Sequence, residues 1–148
     1  MIAGLQSIRQ VVPRLRSRDV SPVDLVRQCL ERIDARPELN AFITVMRERA
    51  LSEARTAETQ IAAGLYRGGL HGIPISVKDL VDVAGTPTTA GSAVPPRHPT
   101  ADAPIVTRLR EAGAIIIGKT NVPEFGAGAQ TFNEVFGATL NPYDLTKT

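Results

Sequence analysis

The sequence holds a single cysteine, Cys29, among 148 residues. That excludes an internal disulfide and any metal site built on several cysteines. It has no tryptophan, four phenylalanines and two tyrosines, too few aromatics for a surface that stacks nucleobases. It has no run of about 18 apolar residues, so no membrane-spanning helix is expected. The first residues lack a basic stretch followed by an apolar one, so no signal peptide is read and a cytoplasmic location is the default expectation. Charge of one sign is not in excess either: 17 basic and 15 acidic side chains leave +2. Residues 1–70 carry 11 arginines and 8 acids, whereas residues 71–148 carry three lysines, three arginines and 7 acids. In the basic half the two signs interleave at helical spacing, which reads as a solvated face and not as a nucleic-acid surface. What is present suits a globular domain. Apolar residues make up 43% and charged residues 22%, and a chain of this length buries roughly two thirds of its unfolded surface.

The texture changes along the chain. Three of the eleven prolines lie before residue 65 and the other eight after residue 70. The early part reads as helical. A first helix is predicted around Leu5 to Leu15, with Pro13 leaving its end undefined. A second starts at Ser21, a good N-cap, with Pro22 at the first helical position and Asp24 in the first turn. Leu25, Val26, Cys29, Leu30 and Ile33 form its apolar stripe, and Pro37 closes it. Cys29 on that stripe is a small core residue rather than a nucleophile. Ala41 to Met46 reads as a short strand. A third helix, about Arg47 to Ala63 with Gly64 as its stop, shows a weak apolar stripe and is expected at the surface.

Beyond residue 70, Ile73, Ile75 and Val77 alternate with Pro74, Ser76 and Lys78. That period of two is a strand with Ser76 and Lys78 on one face. A loop rich in Pro, Thr and Ser follows, then a helix capped by Asp102, carrying Ile105, Val106 and Leu109 and stopped by Gly113. Ala114 to Ile117 is a continuous apolar run, as in a strand buried on both faces. Strand, helix, strand is a βαβ unit with parallel strands. Gly118 to Thr148 reads mostly as loop with little core of its own, the pattern of a cut chain.

One motif misleads. Gly113-Ala-Ile-Ile-Ile-Gly118-Lys119-Thr120 matches the phosphate-loop pattern G-x-x-x-x-G-K-[ST]. A phosphate cradle needs a strand before its first glycine, a loop with open amides, and a helix starting at the lysine. Here a helix precedes Gly113, and three isoleucines suit a buried strand. Gly113 is better read as a helix stop and Gly118 as a turn. Nucleotide binding is not expected, nor any metal.

Lysine is scarce, three against fourteen arginines. Lys119 and Lys147 are assigned to polar loops. Lys78 ends an apolar strand. A desolvated lysine there could act as a neutral amine, a general base or a Schiff-base former. The structural alternative is an edge-strand lysine reaching water and pairing with Asp79.

The surroundings of Lys78 decide between these. Leu70-His-Gly-Ile-Pro-Ile-Ser-Val-Lys-Asp79 is followed by Asp82-Val-Ala-Gly-Thr-Pro-Thr-Thr-Ala-Gly-Ser92. Then come Gly113-Ala-Ile-Ile-Ile-Gly-Lys-Thr-Asn-Val-Pro-Glu-Phe-Gly126 and Asn133-Glu-Val-Phe-Gly-Ala-Thr-Leu-Asn-Pro-Tyr-Asp144. In this order and spacing they resemble the amidase signature family, and Ser21 through Ile43 looks like its helical N-terminal part. The resemblance covers nearly the whole chain. It implies an α/β fold: N-terminal helices plus part of a central mixed β-sheet, truncated. Residues 1–148 would then be the N-terminal portion of a single amidase domain, helical over 1–65, βαβ over 70–118 and loop-rich over 119–148.

The resemblance also implies hydrolysis of a carboxamide to a carboxylate and ammonia or an amine, through a Ser–cis-Ser–Lys triad. The lysine role falls on Lys78. The family's two serines lie beyond the Asn-Pro-Tyr-Asp block, and this chain reaches only Thr148. Ser76 is read as a strand residue and Ser92 as a loop residue; neither is promoted to nucleophile. His71 and His98 are left structural. Asn121 and Glu124 are expected to fix the turn after the strand. Gly126 and Gly128 permit close backbone approach, and the resemblance, which implies that this stretch lies near the substrate cavity, assigns them to the pocket wall. The expected partners are a small carboxamide substrate and a second copy or complementing C-terminal segment, with no cofactor, nucleic acid or membrane. Two alternatives stand beside this: the amidase subunit of a glutamine-dependent tRNA amidotransferase, which shares these blocks, and an inactive fragment or scaffold. The 85–92 stretch looks more like stand-alone amidases.

Overall fold

The computed structural model describes residues 7–148; Leu5, at the start of the first expected helix, lies outside them. The elements are α1 (Ile8–Arg16), α2 (Pro22–Asp34), a 3-10 turn (Pro37–Leu39), β1 (Phe42–Val45), α3 (Arg47–Ala62), β2 (Pro74–Lys78), α4 (Pro104–Glu111), β3 (Ile115–Thr120) and a second 3-10 turn (Glu124–Gly126). The strands form one sheet in the order β1-β3-β2. β1 runs antiparallel to β3. β2 runs parallel to β3, because the hydrogen bonds ascend together: Ile115 N–H to Ile73 C=O and Asp79 N–H to Thr120 C=O. The sheet is therefore mixed, and the βαβ unit is present.

The chain divides into two compact units. The first holds the described residues up to Glu31, with Met46–Ile75 and Arg108–Ile117. Its helices start where the sequence supplies caps. Ser7 and Gln10 form a reciprocal capping box on α1, and the Ser21 hydroxyl accepts the Val23 N–H of α2 at 3.0 Å. Pro13 sits inside α1, which continues to Arg16. Val11, Leu15, Val20 and Ile73 form one buried cluster, with Leu25 and Ile75 against it. Burial of each large side chain there stabilises by about 1.5–3 kcal/mol. α3 is not a surface helix without a core face: Ala50, Ala54, Ala57 and Ile61 are buried along one side. Alanines at helical spacing carry little hydrophobic signal, yet they allow close packing.

α4 ends in a Schellman motif. Ala114 N–H reaches Leu109 C=O, Gly113 N–H reaches Arg110 C=O, and Gly113 has φ +86°. A Cβ at Gly113 would lie 2.6 Å from the His71 ring, so glycine is required there twice over. Gly113 is a helix stop, and Ile115–Thr120 is strand. The phosphate-loop match is thus a coincidence of letters.

The second unit comprises Arg32–Val45, Ser76–Thr107 and Gly118–Thr148. Here two expectations are corrected. Gly118 is not a turn after the strand but lies within β3. A Cβ on it would come within 2.4 Å of Thr44 C=O and 3.0 Å of the Phe42 ring, so the strand continues through glycine because β1 passes too close for a side chain. Nor does Lys119 lie in a polar loop. It is the next residue of β3 and is fully buried. The loop-rich stretch after it is held by side-chain amides. Asn121 donates to Gly137 C=O and the Thr139 hydroxyl, both at 3.1 Å. Asn133 donates to Asn121 and to Val122 C=O, both at 2.8 Å.

Candidate functional site

The candidate site is built around the end of β2. Along Pro74–Lys78, Val77 is buried while Ser76 and Lys78 are exposed, as the period of two requires. No hydrogen bond or ion pair engages the Lys78 ammonium among the described residues. Its own C=O accepts the Val81 N–H at 2.9 Å, starting a turn.

The next residue, Asp79, is fully buried and does not pair with Lys78. Its Oδ1 pairs with Lys119 Nζ at 2.7 Å. Its Oδ2 accepts the Thr89 N–H at 2.9 Å and the Thr89 hydroxyl. Its main-chain N–H donates to Thr120 C=O and its C=O accepts from Ala90 N–H, each at 3.0 Å. Lys119 Nζ donates further to Pro87 C=O at 2.8 Å and to the Thr88 hydroxyl at 2.6 Å. Lys119 thus donates to two neutral oxygens, and the ionic contact with the Asp79 carboxylate neutralises the buried charge. The network continues outward. Asp82 pairs with Arg97 at 2.8 Å, and that bond, assisted by the Thr88 hydroxyl, holds its carboxyl below the usual range.

Sequence reasoning missed this pair. Lys119 follows a glycine and precedes a threonine, a polar context that resembles a loop. The available signal was the Ala-Ile-Ile-Ile run, which needed only to be extended through the glycine.

After β3 the chain passes Asn121 and Val122, both buried, and turns at Phe125, with φ +51°. Phe125 N–H donates to Ala90 C=O at 2.8 Å, so this turn rests on the same loop that receives Lys119. Gly126 packs on Leu80, where a Cβ would meet a methyl group at 2.8 Å. Gly128 lines a hollow of about 580 Å³ together with Pro123, Glu124, Gln130, Phe132 and Asn133. Phe125 and Phe132 are more than 60% exposed. Glu124 is exposed and begins the 3-10 turn. Ser92 is buried and its hydroxyl accepts the Val94 N–H at 3.3 Å.

His71 lies in the first unit, beside a smaller hollow of about 250 Å³ that Glu53, Gln60 and Arg110 also line. Its Nδ1 accepts the Arg67 N–H at 3.2 Å, and its Nε2 faces Gln60 Oε1 at 3.1 Å. Those partners assign the proton to Nε2. Burial, then the nearby Arg67 charge, push the imidazole below its ordinary pKa, and no carboxylate bonds it. It is a structural histidine. His98 is exposed in its loop. Among the described residues no group of three or more His, Cys, Asp or Glu could hold a metal ion, and no helix is long and apolar enough to cross a membrane.

Comparisons with known proteins bear on the family and the fold. The family model described as amidase matches residues 24–148. The chain is 41% identical over 145 residues to a glutamyl-tRNA(Gln) amidotransferase subunit of Trichodesmium erythraeum, covering 97% of this chain and 30% of that protein. The mitochondrial glutamyl-tRNA(Gln) amidotransferase subunit of Ornithorhynchus anatinus is 40% identical over 146 residues, covering 95% and 27%. Among solved structures, the native peptide amidase of Stenotrophomonas maltophilia superposes with a TM-score of 0.89 at 32% identity, covering 98% of this chain and 31% of that one. The chain thus spans about 30% of the length of the curated relatives it matches.

Proposed function

The chain belongs to the amidase family, and from that premise we propose that it serves amide hydrolysis, with Lys78 as the general base. The observation that carries this is the contrast among its three lysines. Lys119 is fully buried, donates to Pro87 C=O and the Thr88 hydroxyl, and is ion-paired with the Asp79 carboxylate. Lys147 pairs with Asp144 on the surface. Lys78 alone presents an amine with no partner, at the end of a strand whose flanking residues are fixed.

In its neutral form the Lys78 amine takes the proton of a serine hydroxyl, through a second serine that relays it. The serine oxygen then attacks the amide carbon, and the tetrahedral oxyanion collapses as the relay returns the proton to the leaving nitrogen. Ammonia or an amine departs. Water attacks the acyl-serine by the same route and releases the carboxylate. Both serines are assigned to no residue of this chain. Ser76 is an exposed strand residue, and Ser92 is buried in a turn. Gly128, in the wall of the 580 Å³ hollow, and Gly126 beside it are proposed to shape the acyl pocket. No step calls on a metal or organic cofactor.

The test is hydrolysis of glutamine, a dipeptide amide and an acyl anilide by the complete chain and by Lys78→Ala. Loss of turnover on every cleaved amide, with the fold retained, is expected. A second reading has its own support: the curated relatives at 41% and 40% identity are amidotransferase subunits. Under that reading glutamine is the amide cleaved, and its ammonia passes to a glutamyl-tRNA acceptor within a heteromer. Glutamine cleavage that depends on added partner subunits would select it.

A further inference from the structure

We infer that the buried Asp79–Lys119 pair is a positioning device for Lys78, an inference that rests on the assignment of Lys78 as base. Asp79 holds one point of the backbone through its main chain and its side chain together. Its N–H joins β3, its C=O joins Ala90, and its two carboxylate oxygens join Lys119 and Thr89. Lys119 in turn fastens the Pro87–Thr88 segment. On the other side of Lys78, the Val77 side chain is buried. The residue that must project thus lies between two buried, anchored residues, with its own side chain exposed.

Stability alone does not account for an ion pair here. Two charges with no solvent exposure cost as much to desolvate as their attraction returns, and well-packed apolar residues serve equally well. The pair does what an apolar contact cannot. It fixes direction and height at the strand end through four hydrogen bonds of the two side chains and the ionic contact between them. A base displaced by about 1 Å loses on the order of 100-fold in rate. Neither Asp79 nor Lys119 touches the reacting atoms; both act through Lys78. The same pair gives the lysine of the phosphate-loop look-alike its place in the molecule.

The experiment compares Asp79→Asn, Lys119→Met and the double variant in the complete chain, using the best-cleaved amide of the panel above. Each single variant leaves one buried charge unpaired and lowers the unfolding midpoint. The double variant removes both charges, leaves the introduced amide's carbonyl oxygen to accept the Thr89 N–H, and regains most of that midpoint. Its kcat stays about 10- to 100-fold low with KM within about twofold of wild type. A double variant that regains wild-type kcat along with its stability overturns the inference. Asp79→Glu keeps the charge but moves the anchor by one methylene, so a folded Asp79→Glu enzyme at wild-type kcat overturns it too. Lys78→Ala separates the two claims: full turnover in that variant removes the base itself, whereas its loss beside a fully active double variant removes only the positioning role.

Discussion

Replacing Lys119 with methionine tests the energetics of the buried pair most sharply. Methionine keeps the length and most of the apolar stem, so packing changes little and the loss is the ammonium. Pro87 C=O and the Thr88 hydroxyl lose their donor, and Asp79 Oδ1 loses its counter-ion. The unpaired buried carboxylate of Asp79 is the main cost. Breaking a buried pair from one side costs about 3–5 kcal/mol, and the orphaned carbonyl falls within that range rather than adding to it. Against a typical stability of about 5–15 kcal/mol this is a large fraction. With a urea dependence near 2 kcal/mol per molar, the unfolding midpoint drops by about 2 M. The other lysines are internal controls. Lys78→Met alters an exposed side chain with no partner and changes stability by less than about 0.5 kcal/mol. Lys147→Met alters a surface pair and leaves the midpoint unmoved. Urea titration of the three variants, followed by circular dichroism, gives the ranking. A Lys119→Met midpoint within about 0.5 M of wild type would refute the reasoning, because the carboxylate would then have found water or another donor.

Three further perturbations have defined outcomes. Gly118→Ala drives a Cβ into Thr44 C=O at 2.4 Å and loses about 1–3 kcal/mol, whereas Gly69→Ala, with open space around it, loses none; thermal melts of the two distinguish them. His71 titrates below its ordinary value when folded, so the unfolded chain binds the extra proton. Its contribution is complete above about pH 6.5 and is lost as pH falls toward the lower folded value; a His71→Gln variant flattens that part of the stability–pH curve. Asn121→Ala removes the donors to Gly137 and Thr139. Amide exchange of residues 133–139 should then accelerate while exchange in α3 does not change.

Much of the fold was legible because the elements carry clear periods. The β2 strand announced itself by alternation, α2 by its stripe and by Ser21-Pro22, and β3 by consecutive isoleucines. The failures share a cause. β3 runs on through Gly118 and Lys119, two residues that local propensity places in a turn, because the approach of β1 and the carboxylate of Asp79 override propensity there. The buried side of α3 is built from alanine, whose small side chain gives little periodic signal and makes close approach possible. At the site, Lys78 could be singled out from its strand and from the blocks around it. The pairing of Asp79 could not. Adjacency pointed to Lys78, and the true partner is forty residues away, brought near only by the parallel pairing of β2 with β3. Asn121 was legible as a turn residue, but its bond to Asn133 was not.

The measurement that tests the central claim most directly is the turnover of Lys78→Ala in the complete chain, on an amide the wild type cleaves. A lost general base lowers kcat by about 100- to 10,000-fold, and an exposed side chain at residue 78 means the unfolding midpoint should hold. A folded Lys78→Ala protein that hydrolyses the amide at the wild-type rate would contradict the assignment.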